Sequence, residues 1–225
     1  MTNRVDFDKY TSNYNLLLQE RTGFFSKNDA YFARYKVELV KSRLTRPAKR
    51  ILEYGCGIGR NIPFIREAFP NADVIGTDIA SESLEFARTH IPGVEFIVEG
   101  DRTSNLGQFD LIFVAGVFHH VPVTERAHVA SLLFRRLDSL GNLFVFEHNP
   151  YNPVTRRIVS TCPYDEDAVL LQPKELREHL RQAGFNDHHT EYCLFIPPSI
   201  AKLTWLERHL GWLPLGGQYF VHVSK

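Results

Sequence analysis

Apolar residues along this chain fall into short runs, separated by longer amphipathic stretches. Between residues 48 and 148 the alternation is regular. The segments 49–55 (KRILEYG), 72–78 (ADVIGTD), 94–101 (VEFIVEGD), 109–121 (FDLIFVAGVFHHV) and 141–150 (GNLFVFEHNP) read as strands. The stretches 58–70, 81–90 and 125–137 between them carry apolar residues at helical spacing. The strands are apolar at consecutive positions, so both faces must be covered by helices. The fold class this predicts is α/β: a three-layer, Rossmann-like arrangement around a mostly parallel sheet. Upstream, 29–44 (DAYFARYKVELVKSRL) places Phe32, Tyr35, Leu39 and Val40 on one helical face. In 81–90 the cap is expected from Ser81 or Ser83.

After Pro150 the rhythm loosens. Residues 151–172 are too long for a simple connection and read as an insertion over the sheet edge. Segment 173–185 is a helix with Pro173 in its first turn and Gly184 at its end. A sixth strand is expected at 191–196, one inserted helix within 197–217, and a last strand over 218–225. The predicted organisation is one domain over 1–225. A helical N-terminal cap occupies 1–46 and a ligand-binding core 47–150, with insertions at 151–172 and 197–217.

Composition narrows the classes. Hydrophobic residues make up 44% and charged residues 23%, an ordinary globular balance, and formal net charge is zero. Polynucleotide binders usually carry a basic field, so nucleic acid is not expected as a partner. Residues 1–50 do hold 11 Lys or Arg against 5 Asp or Glu, read as a solvated face. The three cysteines, Cys56, Cys162 and Cys193, cannot all pair and show no metal-ligand spacing. A reducing, cytoplasmic setting without a structural metal is expected. No uninterrupted apolar run is long enough to span a membrane, and the N-terminus is polar rather than a signal peptide.

The candidate chemistry begins at 51–61, ILEYGCGIGRN. A strand entering a glycine turn ahead of a helix lets a ligand approach backbone closely. The dinucleotide fingerprint GxGxxG is not met: Gly55, Gly57 and Gly59 alternate, and Arg60 stands where a third glycine belongs. Glu53, just before the turn, suits a ligand with an ammonium group better than a pyrophosphate. Asp78 closes the second strand, where an acid can accept ribose hydroxyls. Asp101 follows the third and could accept from an adenine amino group. Three acids at the carboxyl ends of successive strands point into one crevice.

These segments resemble the ordered motifs of class I S-adenosylmethionine-dependent methyltransferases, over roughly residues 48–148. The resemblance implies a seven-stranded sheet with an antiparallel last strand and S-adenosyl-L-methionine as cofactor. It implies that the segment from Glu53 to Gly59, with Gly55, Cys56 and Gly57, lines the methionine part. Asp78 would hold ribose and Ile79 would lie on adenine, with Asp101 and Arg102 at its edge and Ala115 and Gly116 nearby. The subgroup it resembles methylates small metabolites, on O or N.

His119, His120 and His148 follow the fourth and fifth strands and are the candidate catalytic groups. In an extended segment, adjacent side chains point to opposite sides. At most one of His119 and His120 should therefore face the acceptor, and His119 is favoured. Tyr10 and Tyr14 in the cap, with Asn149, Tyr151 and Arg156 after the fifth strand, are candidate acceptor contacts. The NPY triplet here follows the fifth strand, not the fourth as in enzymes that methylate nucleic-acid amino groups. The apolar 197–217 segment could wall a pocket or form a homodimer surface. An aminopropyltransferase-like enzyme and a non-catalytic regulator that binds the same cofactor are the competing readings.

Overall fold

The computed structural model describes residues 5–11, 17, 20, 22, 23, 25, 26, 28, 30–100, 103 and 106–225. Seven strands form one sheet: β1 (Arg50–Tyr54), β2 (Asp73–Asp78), β3 (Glu95–Val98), β4 (Phe109–Ala115), β5 (Leu137–His148), β6 (Asn186–Cys193) and β7 (Gln218–Ser224). Their order is β3-β2-β1-β4-β5-β7-β6. The first five are parallel, and β7 runs antiparallel to both β5 and β6. The strand order reverses beside β1, which places the crevice at the carboxyl ends of β1 and β4.

Side-chain alternation splits the core into two layers. Leu143 and Val145 of β5 pack with the helices α4 (Arg126–Arg136) and α6 (Pro173–Ala183). Phe144 and Phe146 face the other way, toward α1 (Tyr31–Arg43), α2 (Ile62–Ala68) and α3 (Ser81–His90). All four strand side chains are fully buried, as a period of two between helical layers requires. α5 (Pro153–Thr161) and the short α7 (Glu207–Leu210) lie in the two late insertions.

Several boundaries move from where the sequence puts them. β4 stops at Ala115; Gly116 turns with φ +72°, and Phe118–His120 form a 3-10 turn instead of continuing the strand. β5 begins at Leu137, directly out of α4, through a register shift between Phe109 and Leu111 of its neighbour. β6 lies at Asn186–Cys193, earlier than 191–196. It ends where Leu194 takes a φ of +62°, and as an edge strand with one neighbour it tolerates polar residues. In the second insertion, a 3-10 segment Pro198–Leu206 precedes α7, in place of a single helix. α3 is capped from outside: Asp8 Oδ1 accepts from the first-turn N–H groups of Glu82 (2.9 Å) and Ser83 (3.4 Å). Ser83 instead shares a hydroxyl hydrogen bond with Thr11.

Candidate active site

A cavity of about 1070 Å³ opens at the carboxyl ends of β1, β2 and β4. At one end lies the glycine turn. Gly55 (φ +70°) cannot carry a side chain, because a Cβ would stand 2.4 Å from Val117 Cγ2. Gly57 (φ +53°) is different: a Cβ there would meet nothing within 4 Å, so this backbone faces open space. Asp78 ties the turn together, accepting from Gly57 N–H at 2.7 Å and from Ala80 N–H at 2.9 Å. Each carboxylate oxygen keeps a second acceptor site for a ligand hydroxyl. Ile79, about half exposed, lies beside it on the wall, with Cys56, Ala115 and Gly116.

Glu53 lies beneath this turn, 1% exposed. Asn61 donates to its Oε1 at 2.6 Å, while Oε2 is buried without a hydrogen-bond partner. Burial pushes its carboxyl up to about 8. An ammonium group brought close would supply what that orphaned oxygen lacks. The donor set therefore fits an amino-acid-bearing adenosyl cofactor. Gly59 has another role. Its Cβ would strike Ile91 Cδ1 at 2.6 Å, and it is not on the cavity wall; its bareness lets the turn pack against α3 and its exit. Asp101 and Arg102 lie outside the described residues, as does Tyr14. Glu99, just after β3, lines the cavity and binds Arg136 through two bonds of 2.7 and 3.0 Å.

The other end is a buried charged cluster. Glu147 Oε1 accepts from Val117 N–H (3.1 Å) and Phe118 N–H (2.7 Å), which fixes the 3-10 turn after β4. His119 Nδ1 donates to Glu147 Oε2 at 2.6 Å, and His119 Nε2 lies 3.5 Å from Asp165 Oδ1. His120 Nδ1 bonds Asp167 at 3.0 Å, with its Nε2 3.3 Å from the same Asp165 oxygen. Because the turn is 3-10 and not extended, both imidazoles reach one cluster, their centroids 4.1 Å apart. The expectation that the two side chains diverge, as in an extended segment, is corrected on that ground. Burial alone would push the His119 imidazole down, but Glu147 and Asp165 outweigh it and raise it to about 10. His148, 4.9 Å from His119 between ring centroids, is held near 4 by burial and by that neighbouring charge. All three histidines and Asp165 line the cavity.

Lys36 of α1 also reaches the wall, and burial together with Arg60 pushes its amine down to about 8. Lys36 lies four residues from both Phe32 and Val40, so it falls on the apolar face of this helix, and a lone polar residue there was the available signal. Asp165 and Asp167 stood in a stretch read only as an insertion; the acidic triplet 165–167 after Pro163 was the available signal.

Other sequence candidates take structural places. Tyr10 donates to Pro163 carbonyl oxygen (3.3 Å) and meets Tyr164 edge-on, docking the cap without lining the cavity. Asn149 is fully buried and donates to the carbonyls of Pro214 and Gly216, pinning the late insertion. Tyr151 and Arg156 are exposed and off the cavity wall. The late insertion does contribute Pro197, Leu215 and Gly217 to the wall, while Trp205 and Trp212 stay exposed.

A family model described as a methyltransferase domain matches residues 51–141. A trans-aconitate 2-methyltransferase of Acidovorax ebreus (strain TPSY) is 40% identical over 188 residues, covering 76% of this chain and 71% of the relative. The chain belongs to the class I S-adenosylmethionine-dependent methyltransferases. A second relative of the same name, from Azoarcus sp. (strain BH72), is 29% identical over 117 residues, and the match covers 52% of this chain but only 46% of that relative. Human N-acetylserotonin methyltransferase, solved with S-adenosylmethionine, superposes with a TM-score of 0.68 at 14% identity, covering all of this chain and 60% of that one. S-adenosyl-L-methionine is the cofactor of this chain. Among the described residues no helix is long and apolar enough to cross a membrane.

Proposed function

We propose that the protein transfers the methyl group of S-adenosyl-L-methionine to an oxygen or nitrogen of a small acceptor, held between the glycine turn and the histidine cluster. The observation that carries this reading is the single cavity joining the two. Its volume, about 1070 Å³, is at the upper end of ordinary ligand pockets and leaves room for an acceptor beside the cofactor.

The cofactor supplies an electrophilic methyl on a sulfonium; the chain's task is to bind, align and dry. Asp78 and the Gly57 backbone hold the adenosyl part, and Glu53 meets the ammonium. Phe7, Phe25, Phe32, Ile158 and Leu194 give the acceptor side an apolar wall that excludes water. His148 offers a ring nitrogen to orient the acceptor atom, and Lys36 offers a cation to a carboxylate, of cofactor or acceptor. His119, held between Glu147 and Asp165, positions the turn and does not remove a proton.

Transfer of labelled methyl to a metabolite extract, to tRNA and to DNA tests the class. Labelled small-molecule product is expected; labelled polynucleotide alone would overturn it. Within the small-molecule fraction, His148→Asn should lower turnover about a hundredfold with cofactor affinity kept.

A further inference from the structure

Three ligand-type atoms converge at the acceptor end: His119 Nε2, His120 Nε2 and Asp165 Oδ1, all within 4.8 Å of one another. The Asp165 oxygen is 3.5 Å from the first nitrogen and 3.3 Å from the second. Tetrahedral zinc, with bonds of about 2.0–2.2 Å to nitrogen and oxygen, sets its ligand atoms about 3.3–3.5 Å apart. Asp165 is 6% exposed, and its Oδ1 faces both Nε2 atoms at long range without a well-formed hydrogen bond to either. A buried acceptor is rarely left so.

The surroundings match what a metal needs from its ligands' far sides. Each imidazole has its Nδ1 engaged by a carboxylate, Glu147 for His119 and Asp167 for His120. That arrangement fixes the tautomer, directs the Nε2 lone pair inward and raises its basicity. Charge agrees. Glu147, Asp165 and Asp167 bring three negative charges to two imidazoles. Two protons on the rings or one divalent cation between them leave the same net charge.

The geometry points to a divalent metal site of the zinc class, ligated by His119 Nε2, His120 Nε2 and Asp165 Oδ1 and open to the acceptor cavity. Binding displaces any proton carried on either Nε2 into solvent. All three ligand residues line the cavity, so an acceptor oxygen there can supply a further ligand, and a cation lowers the pKa of a bound hydroxyl. This role toward the acceptor rests on the methyl-transfer reading. The metal site itself does not, and it is tested without turnover.

The full chain, stripped with chelator, is titrated with Zn²⁺ and with Co²⁺, followed by metal content and by the visible absorption of four-coordinate Co²⁺. One ion per chain with tetrahedral absorption is expected. Asp165→Asn and His120→Asn should each weaken binding by more than about tenfold, and Asp167→Asn by about tenfold. Glu67→Gln, on an exposed ion pair far from the cluster, should change nothing. Near-ultraviolet circular dichroism identifies any variant that has lost its fold, and the folded variants decide. A wild-type chain that retains no ion after dialysis, or variants that bind as tightly as wild type, would leave a histidine–carboxylate network alone and overturn the site. Methyl transfer that proceeds equally in the stripped protein would remove the metal's role toward the acceptor while leaving the site and the transfer reading intact.

Discussion

The two ends of the cavity are built in different ways. The cofactor end is local: the turn after β1 and the end of β2 supply it, and much of its surface is backbone held by one carboxylate, Asp78. The acceptor end is assembled from three separate places, the turn at 118–120, the end of β5 and the 163–167 segment, and it consists of side chains. A backbone cradle tolerates little change and reads the invariant part of a cofactor. A side-chain cluster can be altered residue by residue, which suits the part of the site that selects the acceptor.

Breaking the acceptor end should cost the most. Glu147→Ala removes the buried carboxylate partner of His119 and the acceptor of two backbone N–H groups. A loss of about 3–5 kcal/mol of stability is expected by urea unfolding; a loss below about 1 kcal/mol would mean that the cluster is not structural. At the cofactor end, Asp78→Ala should weaken S-adenosylmethionine binding by about 1–3 kcal/mol in calorimetry. Unchanged affinity there would dissolve the distinction between the two ends.

Lys36 sharpens the comparison through pH. Its amine, pushed down to about 8, is charged below that value and neutral above it. Affinity for the carboxylate it meets should therefore fall as pH rises through 8, by about tenfold at pH 9. Lys36→Met should flatten that profile at the weak level. Titrating cofactor and acceptor separately shows which end the lysine serves. The smallest effect is expected at the cap. Asp8→Ala removes the acceptor for the first turn of α3 and should cost about 0.5–2 kcal/mol in thermal unfolding.

The cofactor end was the more legible in sequence for the same physical reason. Gly55, Gly57 and Asp78 sit at strand ends, where a period-two run and a glycine turn locate them from local spacing alone. The split of β5 between Leu143 and Phe144 faces, and the helix at 81–90, follow from the same periodicities. The acceptor end depends on tertiary placement. His119 and His120 converge because the chain leaves β4 at Gly116 and enters a 3-10 turn, a change no hydrophobic pattern marks. Asn149 read as a substrate contact because a polar residue after a strand is ambiguous. In the fold it is buried under Gly216, where its amide satisfies carbonyls that would otherwise be stranded. Gly59 similarly looked like part of a ligand cradle, and its constraint is the approach of Ile91.

The placement of β7 between β5 and β6 has a consequence for the order of events during folding. β6 has no partner in the sheet except β7, and β7 comes last along the chain. Strands β1 to β4 form their part of the sheet among themselves, so during synthesis it can form before residues 218–224 exist. β6 must wait, its ladder unmade, until residues 218–224 insert with Tyr219, Phe220, Val221 and Val223 fully buried. Hydrogen exchange on ribosome-stalled chains ending before residue 218 should then show amides of β1, β2 and β4 protected and those of β6 unprotected. Glu147 and His148 pair with Tyr219 and Gln218 across that late seam, so a ribosome-bound chain would acquire its adenosine cradle well before its acceptor pocket.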